Sequence, residues 1–154
     1  MESHSPSLRK KKPDLSKAAS RKEFQAFLVS MALVPGSIFQ FTNARKGLSP
    51  LGKLATQVWM DLESMEGLRC DAVQLRGRDM QGLLFLQSSS DAGRKLSLVF
   101  RLIKTRISRA AEKAGLSGVA WKRAHRMRVL ETSREIAAAR RALDREVQAS
   151  LSLD

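Results

Sequence analysis

The sequence predicts an α+β protein: two N-terminal amphipathic helices, a small antiparallel sheet of two or three strands, and a C-terminal helix–loop–long helix. Three observations carry that expectation. Apolar residues recur at helical spacing over residues 20–34 and again over 50–65. A period of two takes over around residues 96–103, and a helical pattern rich in Arg and Lys returns from Lys104.

Residues 1–19 are rich in Ser, Lys and Pro and are expected to form a basic flexible arm, with residues 20–154 as a single domain. Ser20-x-x-Glu23 fits a capping box, in which each side chain satisfies a free backbone N–H of the first helical turn. Phe24, Phe27, Leu28, Met31 and Val34 would form the apolar stripe behind it, ended by Pro35-Gly36. Ile38 to Thr42 is β-prone and reads as an edge strand or an extended link. Ser49 and Pro50 read as N-cap and first residue of the second helix, since proline lacks an N–H that this position leaves unused. Leu51, Leu54, Ala55, Val58, Leu62 and Met65 continue it to a stop at Gly67.

Short apolar runs follow at Ala72 to Leu75, Leu83 to Gln87 and Leu96 to Ile103. The last alternates best, and Ser88 to Gly93 would be the loop closing a hairpin before it. Residues 104–114 predict a helix stopped by Gly115, with Ser117 capping a final helix that runs to about Leu151. Val129, Ile136 and Leu143 stand seven apart, with Ala139 and Val147 beside them; they form a packed apolar face or, less fully, a coiled-coil seam able to support a homodimer.

The 154 residues carry 28 Lys plus Arg against 15 Asp plus Glu, a net charge of +13. That charge is clustered. Residues 1–22 carry seven basic and two acidic side chains, residues 23–100 eight and seven, residues 101–128 nine and one, and residues 129–154 four and five. Glu112 alone accompanies the nine cations of 101–128, so pairing within the segment cannot neutralise it. Clustering of this kind is the footprint of a polyanionic partner, whereas uniform basicity would serve only solubility. Lys104, Arg106, Arg109, Lys113, Lys122, Arg123, Arg126 and Arg128 are the candidate nucleic-acid-binding residues, with Arg9, Lys10, Lys11 and Lys12 as a phosphate-contacting or localisation arm.

Other chemistries have little support. Cys70 is the only cysteine, which excludes a disulfide within the chain, and with only His4 and His125 it leaves no Cys/His zinc set. No metal site, cofactor or catalytic residue is expected, and the protein is read as a non-enzyme. The longest apolar stretch, Phe27 to Pro35, falls far short of the roughly 20 residues that span a bilayer. With no signal peptide in view, the expectation is an intracellular protein, nuclear in a eukaryote or a virus of one and otherwise cytoplasmic. His125 sits among cations that would depress its pKa, Cys70 reads as a core thiol, and Trp59 and Trp121 read as packing residues.

Two stretches resemble known motifs. Gly47-Leu-Ser-Pro-Leu-Gly52-Lys53 is similar to the first seven positions of the phosphate-binding P-loop, but Leu54 stands where that motif places the magnesium-holding Ser or Thr. Pro50 also removes an N–H from a loop that works by pointing such groups at phosphate; a helix start explains the same residues. Residues 107–126 resemble a helix-turn-helix unit, with small Ala111 four residues before Gly115 and a second helix from Ser117 presenting Lys122, Arg123, Arg126 and Arg128. Gly118 and the length of that second helix depart from the pattern, so an ordinary helix–loop–helix is the expected form. The functional expectation is a regulatory nucleic-acid-binding protein, for DNA or RNA; the alternative is a small protein-interaction or viral accessory factor whose basic tail serves localisation.

Overall fold

The computed structural model describes residues 24–45, 47–88 and 92–152. In order, these form β1 (Phe24–Ala32), α1 (Pro50–Asp61), a short 3-10 turn (Leu62–Ser64), β2 (Leu68–Arg76), β3 (Asp79–Gln87), α2 (Ala92–Lys113), β4 (Arg126–Leu130) and α3 (Ser133–Ser152). The strands make one antiparallel sheet in the order β2-β3-β1-β4. β1–α1–β2 and β3–α2–β4 each skip one position in that sheet, so two split βαβ units interlock.

This architecture corrects the expected fold of two N-terminal helices and two or three strands. The first predicted helix is strand β1. Its Phe27, Val29 and Met31 are buried under α1 and α2, while Ala26 is buried on the opposite face beneath α3 with Phe24 and Leu28 against it. A strand covered on both faces carries apolar residues at both parities, and that run imitates helical spacing. The Ser20 capping box and the 1–19 arm lie outside the described residues.

The opposite error occurs at Leu96 to Ile103, predicted as a strand and found inside α2. The buried set is Leu96, Val99, Phe100, Ile103, Ile107 and Ala111, one face at spacings of three and four, while Leu98 is left 52% exposed. Ala92 and Gly93, expected in the loop, open α2, residues 89–91 lie outside the described residues, and the hairpin turn lies instead at Gly77-Arg78 between β2 and β3.

Where the local chemistry is decisive, the elements begin and end as read. Ser49 Oγ accepts from Gly52 N at 3.0 Å and Pro50 is the first residue of α1. A Cβ on Gly52 would sit 2.1 Å from the carbonyl oxygen of Phe41, so close packing accounts for the glycine of the P-loop-like stretch. At the end of α2, Leu116 N donates to Ala111 O at 2.7 Å and Gly115 N to Glu112 O at 3.1 Å, with Gly115 at φ +85°. These are the two bonds of a Schellman stop.

Beyond that stop no helix starts at Ser117. Residues 120–122 continue along the edge of β1, with Val34 N donating to Ala120 O and Lys122 N to Ala32 O, and β4 follows. The long terminal helix begins only at Ser133. Thr132 Oγ1 accepts from Glu135 N at 3.1 Å, and Glu135 Oε1 accepts in return from Thr132 N and Glu131 N. Those donated bonds hold the Glu135 carboxyl below its ordinary pKa.

Three layers result. α1 and α2 cover one sheet face, with Trp59 seated directly on Gly82 of β3 and its Nε1 donating to Asp71 O. α3 lies across the other, burying Ile136, Ala139 and Leu143 against Ala26, Leu83, Phe85 and Leu130. Arg140 pins α3 to β2 through two bonds to the Asp71 carboxylate, the shorter 2.7 Å. Ile136 and Leu143 are thus occupied within the fold, and Val129, the third residue of the expected seam, belongs to β4. No described helix is long and apolar enough to cross a membrane.

Candidate nucleic-acid interface

β4 is an edge strand, and its lead-in places the second half of the basic segment along one side of the sheet. In the antiparallel register Arg126 stands opposite Ser30 and Arg128 opposite Leu28, so both side chains fall on the α3 face. Lys122 reaches the same side, lining with Arg126 a cleft at the uncovered end of that face. Arg123 is exposed in the turn between them. Arg126 and Arg128 share one parity of β4, and Lys122 stands beside Ala32, two residues along β1 from Ser30, with a bend at Arg123 between them. Arg126 and Arg128 are two residues apart on β4, a step of about 6.6 Å along the edge.

The α2 cations do not join this row as a group. Lys104 faces it: its Nζ donates to the carbonyl oxygen of Lys122 at 3.0 Å, and burial lowers its pKa. At about 100° per residue, Arg106, Arg109 and Lys113 lie roughly 140–180° around the helix from Lys104. All three are exposed, on the far side of α2. The expected helix-turn-helix pair is corrected accordingly: α2 is its first helix, but strand and extended chain replace the second. Arg9, Lys10, Lys11 and Lys12 lie outside the described residues.

Packing of the lead-in segment explains its shape. Trp121 Nε1 donates to Ser108 Oγ at 3.0 Å and its ring meets Phe41 at a centroid distance of 5.9 Å, so this tryptophan anchors the chain against α2. His125 stacks on Phe100 with centroids 3.8 Å apart and planes 16° apart. Burial first, and the Lys104 charge second, hold its pKa below that of an ordinary imidazole, favouring the neutral ring.

Charge on this edge is not balanced from within. Among the described residues, Arg123 and Arg126 have no carboxylate within ion-pair distance, and the backbone carbonyl of Lys122 accepts from the Lys104 ammonium. Arg128 acts at longer range on Glu135. Cys70 is buried, and no metal-holding cluster of His, Cys, Asp and Glu occurs among the described residues. Sequence reasoning missed Ser30, Gln74 and Gln81, which complete the cleft beside Arg126. They are single polar residues in three different strands, and no local motif marks them.

No protein-family model, curated protein or solved structure matches the chain.

Proposed function

We propose that this protein is a non-enzymatic nucleic-acid-binding protein that holds phosphates along the β4 edge, in keeping with a regulatory role. The observation that supports the reading is the exposed run Lys122, Arg123, Arg126 and Arg128 along one sheet edge, in which Arg123 and Arg126 have no carboxylate within ion-pair distance among the described residues. Like charges fixed side by side repel, and a phosphate backbone relieves that repulsion while releasing its own counterions. Lys104 braces the lead-in from behind, and the basic N-terminal stretch with Arg9, Lys10, Lys11 and Lys12 adds phosphate contacts of no sequence preference.

Retention on duplex DNA, duplex RNA and single strands across a salt series tests the proposal. Four phosphate contacts predict a slope of log affinity against log salt near about −3.6 for B-DNA, with the N-terminal cations steepening it. Replacing Lys122, Arg123, Arg126 and Arg128 together by Gln should flatten the slope by about 3.6 while leaving the fold intact. Absence of binding to all three polymers at low salt overturns the reading, and an unchanged slope in the variant removes β4 from the interface.

A further inference from the structure

Four polar side chains stand in a single line across the sheet. Gln74 of β2 pairs with Gln81 of β3, Gln81 with Ser30 of β1, and Ser30 with Arg126 of β4. Direct partners in antiparallel strands share a face, so the row lies on the α3 side, and three strand spacings of about 4.8 Å make it about 14 Å long. One step toward α3 the sheet turns apolar, with Leu83 and Leu28. The polar row therefore marks where α3 stops covering the sheet, and it floors a cleft of about 490 Å³.

Two properties set this cleft apart from an ordinary wet surface. Gln74 is 9% exposed, and its Nε2 is buried without a hydrogen-bond partner. A buried amide donor with nothing to donate to is unfavourable in the free protein and is relieved by an incoming acceptor. The opposite end of the row is cationic, formed by Arg126 and Lys122, while Arg76 and Asp79, cross-strand partners one step beyond Gln74 and Gln81, also line the cleft. Between them Gln81 Nε2 and Ser30 Oγ are 3.4 Å apart, a loose contact that a better partner displaces.

The geometry points to a binding site for a nucleoside monophosphate, with its phosphate on Arg126 and Lys122 and the hydrogen-bonding edge of its base on Gln74 and Gln81. A phosphate monoester carries about two negative charges near neutral pH, matching two cations better than the single charge of a diester does. A base edge offers the carbonyl oxygen or ring nitrogen that the Gln74 amide lacks. The row is long enough to take base, sugar and phosphate in line, and the cleft volume falls in the range of small-ligand sites. The ligand is either a free nucleotide or the 5′-phosphorylated end of a strand, which present the same chemistry. The site shares Arg126 and Lys122 with the phosphate contacts proposed for β4 and adds Gln74 and Gln81 of the neighbouring strands, which that reading does not use.

Calorimetric titration of the full chain with AMP, GMP, CMP and UMP, their nucleosides and inorganic phosphate tests this assignment. At least one monophosphate should bind tenfold or more tightly than both its nucleoside and phosphate. Gln74→Leu should weaken it at least fivefold while leaving the thermal midpoint unchanged or raised, since the orphaned donor is removed; Gln81→Leu provides a second variant if the first fails to fold. A tetranucleotide carrying a 5′-phosphate that competes for the site identifies a strand end as the source, and failure to compete identifies the free nucleotide. Equal competition by the same tetranucleotide without its phosphate overturns the monoester assignment. So does the absence of saturable binding at millimolar nucleotide, phosphate binding as tightly as the nucleotides, or unaltered binding by folded Gln74→Leu or Gln81→Leu. Gln74→Leu should leave duplex retention and its salt slope intact, so failure of the two readings is distinguishable.

Discussion

The two faces of the sheet are built to different ends. On one, α1 and α2 bury Trp59, Leu51, Ile103 and Ile107 against β1 and β3 and leave the strands' side chains in a dry core. On the other, a single helix buries Ile136, Ala139 and Leu143 against the sheet, while Gln74, Gln81, Ser30 and Arg126 line an open cleft. Two helices cover a four-stranded sheet; one does not. The uncovered remainder is polar because side chains there need water or a ligand as partner.

If the closed face supplies most of the stability, truncation there must cost more. Trp59→Ala should destabilise by about 4 kcal/mol and Ile136→Ala by about 2 kcal/mol, read as shifts of the urea midpoint at unchanged slope. Equal losses would erase the distinction between the faces. Gly82→Ala sharpens it next. The added Cβ would lie 2.4 Å from Cη2 of Trp59, a rigid and buried ring, so an overpacking cost of about 2 kcal/mol is expected. Trp59→Ala in the same chain should relieve most of that cost in a double-mutant cycle; simple additivity would show that the contact is not its origin.

The smallest effect concerns the lead-in to β4. Burial and Lys104 hold His125 below its ordinary pKa, so as pH falls the unfolded chain takes up this proton before the folded one does. The contribution is present above about pH 6.5 and is lost as pH falls from there through the lowered folded value. His125→Phe, which keeps a ring against Phe100, should flatten the dependence of unfolding midpoint on pH between roughly 7 and 5 relative to the parent. Parallel curves for the two proteins would show that His125 is not the titrating group.

Much of the punctuation was legible because it is local. The Ser49-Pro50 start of α1 and the Gly115 stop of α2 depend on residues within one turn, and each is visible as a short pattern. Thr132-x-x-Glu135 is a signal of the same kind, and it would have moved the start of the last helix to its true place. Nothing as local distinguishes Phe24 to Ala32 from a helix, since its burial on both sides depends on α2 and α3, far along the chain. Nor does anything near Arg126 announce that it belongs to a strand. Its register is set by β1, about a hundred residues earlier.

The sequence by itself determined the basic charge and its concentration in residues 101–128, the lack of an internal disulfide, and the capped start and stop of two helices. Those follow from composition and from interactions spanning a few residues. Only the tertiary structure decided that β1 and β4 are strands, that Lys122, Arg126 and Arg128 share an edge while Arg106, Arg109 and Lys113 point elsewhere, and that Gln74, Gln81, Ser30 and Arg126 form one row. A cross-strand row joins residues that no period along the chain connects, so it exists only once the sheet has set its register.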